Sequence, residues 1–310
     1  MFYKKGLKYI ILLILLILTI PLVSCFAIIK QEEGLSSPVL MKAKNSSQNI
    51  LIGFKDKEVI IYEYKNKRAT VIERTDIGDS IHKIFIDDDD KKCYLYSRAK
   101  LLYLYDLTTN KPKISRIMDL SENGFNYLLD VYNDTQALNI LGIKVTEAIP
   151  PKVTLSLVKV FPNKKVEKYQ IHTFNSVQSI QAMKGKIPRI VVVSGYQEMV
   201  KDLFYYELTA NKLRLLKKFD LTQLNIEAPS FFTIKNDLYV NGLKVNINTN
   251  EGFEGIFKFN FDDGQVKEIY RPKSPVKWLE IGDFNGNGEK DIIWANDKGL
   301  YIEYDWKSLN

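Results

Sequence analysis

The sequence predicts an all-β chain built from one repeated four-stranded unit. Three observations predict it. An alternating aromatic strand, a polar turn and a basic-apolar strand recur as VIIYEYKNKRATVI, YLYDLTTNKPKISRI, LVKVFPNKKVEKYQI, FYYELTANKLRLLKKF and FKFNFDDGQVKEIY. Their turn residues Asn66, Asn110, Asn163, Asn211 and Gly264 are spaced by 44, 53, 48 and 53 positions. After residue 30 no stretch carries the period of a long amphipathic helix.

Each phrase reads as a hairpin. Period-two alternation gives a strand one buried face, and Asn, Asp, Gly or Pro supply the turn. Two further strands precede each hairpin: SIHKIFI and CYLYS, YLLDVY and ALNILGI, SIQAMK and RIVVVSG, SFFTIK and DLYVNGL. Four strands per unit of about 50 residues is the pattern of β-propeller blades. Six units fit the chain. The first begins near PVLMKAK and the last reads VKWLEIG, DIIWAND and GLYIEYDW. That last unit has only three strands of its own, and the residues before Pro38, KQEEGLSS, read as a polar tether, so the last blade is expected to be incomplete. No linker-like break divides the chain, which disfavours a β-sandwich or two smaller β domains. The expected domains are an N-terminal anchoring segment (1–30), a tether (31–37), a propeller (38–306) and a short tail (307–310).

Composition narrows the function classes. The 310 residues are 45% hydrophobic and 26% charged, enough for a real core. Of the formal charge of +7, Lys4, Lys5 and Lys8 precede the first apolar run; without those three the remainder carries +4. No basic cluster is interleaved with aromatics, which disfavours nucleic acid as a partner. Two cysteines, Cys25 and Cys93, cannot form a disulfide framework.

The N-terminus reads as a targeting segment. After MFYKKGLK, no charged residue occurs from Tyr9 to Ile29. At about 1.5 Å per helical residue such a run reaches across a hydrocarbon core of about 30 Å, and the preceding lysines fit cytoplasmic retention of that end. Within it, Leu22-Val23-Ser24-Cys25 resembles the bacterial lipoprotein signal, which implies lipidation of Cys25. The apolar FAII after Cys25 departs from that pattern and keeps an uncleaved transmembrane anchor as the alternative. Either places the chain outside the cytoplasm and on a membrane, facing the periplasm or the cell surface.

One stretch carries ligand chemistry. In GDFNGNGEKDII, residues 282–293, oxygen-bearing side chains occupy alternate positions around a glycine. Calcium takes six to eight oxygens at about 2.3–2.6 Å, and such alternation folds them around one ion. A true EF-hand needs a bidentate Glu at position twelve and flanking helices; this chain has Trp294 there and strand-like flanks. The residues instead resemble the calcium loop of FG-GAP or VCBS-type repeats, found in integrin-α-like propellers, where D-x-[DN]-x-[DN]-G-x-x-D joins the first two strands of a blade. That resemblance implies side-chain ligation by Asp283, Asn285, Asn287 and Asp291, carbonyl ligation by Glu289 and a bend at Gly288. It also implies a structural ion on the face opposite the usual ligand face. With two Asn among the ligands, affinity is expected to be weak, at about 10⁻⁴–10⁻³ M. The other acidic turns, Asp87–Asp90 and Asp130, Asn133, Asp134, lack the spacing and read as ordinary blade turns.

No catalytic signature is present. His82 and His172 each fall in a strand, away from any Cys or Asp partner motif, and neither G-x-S-x-G, H-E-x-x-H nor a phosphate-binding glycine loop occurs. The expected function is a membrane-anchored binding or scaffold module for a protein or glycan. The alternative is a propeller enzyme acting on an extracellular polysaccharide or other polymer. Two carboxylates about 5–10 Å apart at the channel mouth would favour the enzyme; aromatics and neutral polar groups there would favour binding.

Overall fold

The second strand of each unit explains the architecture. Cys93, Tyr94, Leu95 and Tyr96 are all buried, as are Ile190 to Val193 and Leu238 to Val240. A strand apolar on both faces must be covered on both, so each sheet needs a neighbour on either side. A ring of sheets supplies this.

The computed structural model describes residues 27–29, 36–42, 49–65, 68–86, 92–106, 113–146, 152–185, 187–196, 199–209, 211–234, 236–246, 251–272, 276, 278–283, 289–296 and 299–303. β1 is Ala27–Ile29. Blade one holds β2 (Ser36–Lys42), β3 (Asn49–Lys55), β4 (Glu58–Lys65) and β5 (Arg68–Asp76). Blade two holds β6 (Ile81–Ile86), β7 (Lys92–Ser97), β8 (Leu101–Asp106) and β9 (Lys113–Asp119). Blade three holds β10 (Tyr127–Asn133), β11 (Leu138–Val145), β12 (Lys152–Val160) and β13 (Val166–Asn175). Blade four holds β14 (Val177–Met183), β15 (Arg189–Tyr196), β16 (Met199–Thr209) and β17 (Lys212–Asp220). Blade five holds β18 (Ile226–Ile234), β19 (Asp237–Asn246), β20 (Glu251–Phe259) and β21 (Val266–Tyr270). Blade six holds β22 (Trp278–Gly282), β23 (Asp291–Asn296) and β24 (Gly299–Glu303). Strands are antiparallel and sequential within every blade, which makes the chain an all-β, six-bladed propeller.

The first strands form the inner ring: β2 lies against β6, β6 against β10, β10 against β14, β14 against β18, and β22 returns to β2. Hydrophobic clusters fill the five wedges from blade one to blade six. Ile52 and Ile61 meet Ile84 and Leu95 between blades one and two. Tyr94 meets Val131 and Ile140 between two and three, and Leu155 meets Ile190 and Val192 between three and four. Val191 and Leu203 meet Phe231 and Val240 between four and five; Tyr239 and Ile256 meet Leu279 and Ile292 between five and six. Leu95 and Tyr94 thus serve opposite wedges from adjacent positions, as the two-residue period requires.

Two bulges recur in each of the first five blades. One interrupts the first strand, at His82, Leu129 and Gln178 in blades two to four. The other leaves an unpaired aliphatic in the outer strand: Ile72, Ile117, Ile171, Leu216 and Ile269. A bulge adds right-handed twist and bends the strand, and neither is present in the pairings of blade six.

Blade six has three strands of its own, as its sequence predicts, and the fourth place is taken by β1. Ala27 pairs with Ile302, Ile28 with Tyr301 and Ile29 with Leu300, antiparallel. The lent strand therefore comes from upstream of KQEEGLSS, out of the apolar run expected to be anchor through residue 30. Unpaired edge groups on β24 make this position attractive to any free strand. Cys25 and the rest of the anchor lie outside the described residues, among which no helix is long and apolar enough to cross a membrane.

Opposed residues in an antiparallel pair have Cα atoms about 4.5–5.5 Å apart, within disulfide range. Paired substitutions Ile28→Cys and Tyr301→Cys should therefore cross-link under mild oxidation and raise the urea midpoint. No cross-link, read as unchanged migration on a non-reducing gel, would show that β1 does not close the ring.

Candidate functional site: the channel mouth and the blade-six loop

Antiparallel order divides the connections between two faces. Those joining first to second and third to fourth strands lie on one, here the loop face. Those joining second to third strands, and one blade to the next, lie on the other, the open face.

At the open face the first strands begin, and their exposed residues surround the channel mouth. Among the described residues they include His82 on β6, Tyr127 on β10, Gln178 on β14 and Glu227 with Ala228 on β18. His82 and Gln178 are bulge residues, and bulges commonly re-aim a side chain beside a functional site. Burial, with help from the Arg98 and Lys83 charges, holds His82 below its ordinary value of 6.5, so it is neutral near pH 7. Its ring meets Tyr96 edge-on at 6.2 Å. This set supplies an imidazole, a phenol, an amide and one carboxylate.

Deeper in the ring, polar side chains tie the first strands together. Gln181 Nε2 donates to the Phe231 carbonyl at 2.9 Å, and Thr233 Oγ1 to the Ala182 carbonyl at 2.9 Å. Lys83 Nζ reaches the carbonyls of Leu128 and Leu129 at 3.4 and 3.5 Å. Burial lowers the Lys83 pKa, and the charge of Asp130 on the neighbouring strand opposes that shift. Asp130 is itself buried and accepts from the Val131 amide at 2.9 Å. These groups join blades; they are not poised as free acids or bases. Periodicity in the sequence marks such positions as polar on a strand and gives no sign of which blade they face.

The remaining candidates separate from this site. His172 lies on the outer strand β13 and packs on Phe174 at 4.6 Å. Cys93 is fully buried and unpaired, and burial pushes its thiol pKa well up, so it is inert at neutral pH. Asp134 belongs to a self-contained turn: its carboxylate accepts from the amides of Gln136 and Ala137 at 2.7 and 2.8 Å and from Asn139 Nδ2 at 2.8 Å. Burial works to raise its pKa, and these donors outweigh it. The acidic turn at 87–90 lies outside the described residues.

The GDFNGNGEKDII loop joins β22 to β23 on the loop face. Asp283 follows β22 directly. Asp291 opens β23 opposite Gly282 and is fully buried. The register therefore sets Asp283 one residue beyond the Gly282–Asp291 pair, with the two carboxylate residues at the two ends of the loop. Glu289 is exposed, while Asn285, Asn287 and Gly288 lie outside the described residues. Trp294, which excludes an EF-hand, is a core residue stacked on Tyr301 at 4.1 Å. Among the described residues no three His, Cys, Asp or Glu side chains cluster as a metal site.

No family model matches the chain, and no curated protein matches it. Solved structures do. One is a crystal structure of the mitotic checkpoint complex, at 9% identity and TM-score 0.45, covering 88% of this chain and 90% of that one. Another is the yeast heterotrimeric Nup82-Nup159-Nup116 nucleoporin complex, at 11% identity and TM-score 0.48, covering 86% of each chain. A third is U3-55K, at 8% identity and TM-score 0.48, covering 90% of this chain and 98% of that one. Likenesses this slight carry nothing over to the function of this chain; its fold rests on its own strand order.

A double-mutant cycle tests the Lys83–Asp130 link. Removing one charge leaves the other buried without its counter-charge. Lys83→Met and Asp130→Asn should each destabilise, and the double variant should recover by at least about 0.5 kcal/mol relative to their sum, measured by urea unfolding. Simple additivity would show that the two charges do not couple.

Proposed function

We propose that this chain is a membrane-anchored, extracytoplasmic propeller that binds a protein or glycan partner without catalysing a reaction, with one structural calcium ion in blade six. The observation that carries the binding assignment is the channel mouth. Its described first-strand residues His82, Tyr127 and Gln178 are aromatic or neutral polar, with Glu227 as the single carboxylate among the four. That composition suits hydrogen bonding and stacking, whereas polymer hydrolysis needs paired carboxylates. The anchoring assignment is supported by the lysine-led apolar run and by Cys25. The calcium assignment is supported by the loop pattern and by the position of Asp283 and the buried Asp291 at the two ends of the loop. Asn285 and Asn287 would complete the side-chain set and Glu289 would offer its carbonyl.

Binding is tested with protein beginning at residue 26, so that β1 is kept, presented to envelope extracts and to glycan arrays. A protein or glycan should be retained and lost by about tenfold or more in the His82→Ala, Tyr127→Ala double variant, the scale expected for interface anchors. Equal retention by that variant would displace the site from the mouth, and depolymerisation of a glycan would overturn the non-catalytic assignment.

Calcium is tested by thermal melts. For a dissociation constant of about 0.1–1 mM, 10 mM calcium contributes about 1.4–2.7 kcal/mol and raises the midpoint by about 3–10 °C. The shift should vanish in Asp291→Asn. A midpoint indifferent to calcium would remove the ion from blade six.

A further inference from the structure

We infer that the propeller rests on the membrane by its loop face, the face carrying residues 283–290, and turns the channel mouth with His82 and Tyr127 away from the bilayer. This rests on the anchoring proposed above and adds to it an orientation.

The direction of β1 carries the inference. β24 is the third strand of blade six and runs from the open face at Gly299 to the loop face at Glu303. β1 is antiparallel to it, with Ala27 opposite Ile302 and Ile29 opposite Leu300. Ala27 is therefore the end of β1 nearest the loop face, and whatever precedes it leaves the ring on that side. Cys25 is two residues earlier, a reach of about 7 Å at about 3.3 Å per extended residue. An uncleaved helix would have to stop by Phe26, since Ala27 already belongs to the ring. Both kinds of anchor thus bring the bilayer to the loop-face rim of blade six with no spacer. The polar stretch KQEEGL cannot hold the propeller off the surface, because it lies between β1 and blade one, inside the ring's own connectivity.

The loop face exposes Ile187 and Val166, at 44% and 42%, with Lys164 and Lys290 also exposed. The same face also exposes the carboxylates of Asp134, Asp262, Asp263 and Glu289, so its charge is mixed and the direction of β1 alone carries the orientation. The open face keeps the exposed Tyr127 and Met199, at 54% and 73%, for a partner arriving from the aqueous side.

The test uses the full chain reconstituted in vesicles containing nitroxide-labelled lipid. Single cysteines carrying a fluorophore are placed on the loop face (Lys290→Cys, Ile187→Cys) and on the open face (Lys57→Cys, Met199→Cys). The buried Cys93 does not compete for label under native conditions. Fluorescence should be quenched at 290 and 187 and unchanged at 57 and 199. Quenching at 57 and 199 instead, or at none of the four while the chain stays with the vesicles, overturns the orientation. Vesicle flotation after carbonate washing is read in parallel, with Cys25→Ala as comparison. A chain that leaves the vesicles refutes the anchoring itself, and the orientation with it.

Discussion

A sheet that is apolar on both faces cannot stop at an open edge or an uncovered side, and this structure follows from that constraint. Tyr94 and Leu95, adjacent on one strand, fill wedges on opposite sides of blade two. The same division repeats in blade four, where Val191 and Val192 serve different clusters. Every blade therefore depends on two neighbours, and the first and last blades can be satisfied only by meeting each other. At roughly 1.5–3 kcal/mol for each fully buried large aliphatic side chain, a wedge of about ten such residues far outweighs any single strand pairing. The short β1–β24 ladder contributes little energy by comparison. Its role is to seal an edge that would otherwise recruit a foreign strand.

That closure ties the N-terminal segment to the propeller. Ala27–Ile29 are apolar enough to be read as the end of an anchor, and the ring takes them as its last strand. Apolar residues at 27–29 are equally suited to pairing on a blade. In the anchoring proposed above, the direction of this single strand sets the face of the ring from which the preceding segment leaves.

Among the described residues of the inner ring, polar side chains reach from blade to blade. Gln181, Thr233 and Lys83 direct their donors at backbone carbonyls of an adjacent blade, which ties the first strands to one another. Blade six departs from the other five. Its described pairings carry no bulge, and its first connection is the long acidic loop. A cation between Asp283 and Asp291 would brace the blade whose outer strand is borrowed.

Hairpin spacing, the two-residue period and turn residues were enough to place all six units along the chain, because these are local properties of a strand and its turn. The same reading set the 283–291 loop between the first two strands of its blade and excluded an EF-hand through Trp294. It could also have found the aliphatic residues Ile72, Ile117, Ile171, Leu216 and Ile269 at matching points of the repeat, although a bulge has no signature apart from its partner strand. What the tertiary structure alone decided is which strand completes blade six, since Ala27–Ile29 are as suited to lipid as to a sheet edge and only the vacancy beside β24 chooses between them. It also decided the channel mouth. His82, Tyr127, Gln178 and Glu227 are spread over some 145 positions of sequence, and they converge only because the ring brings the starts of four first strands to one end of a common axis.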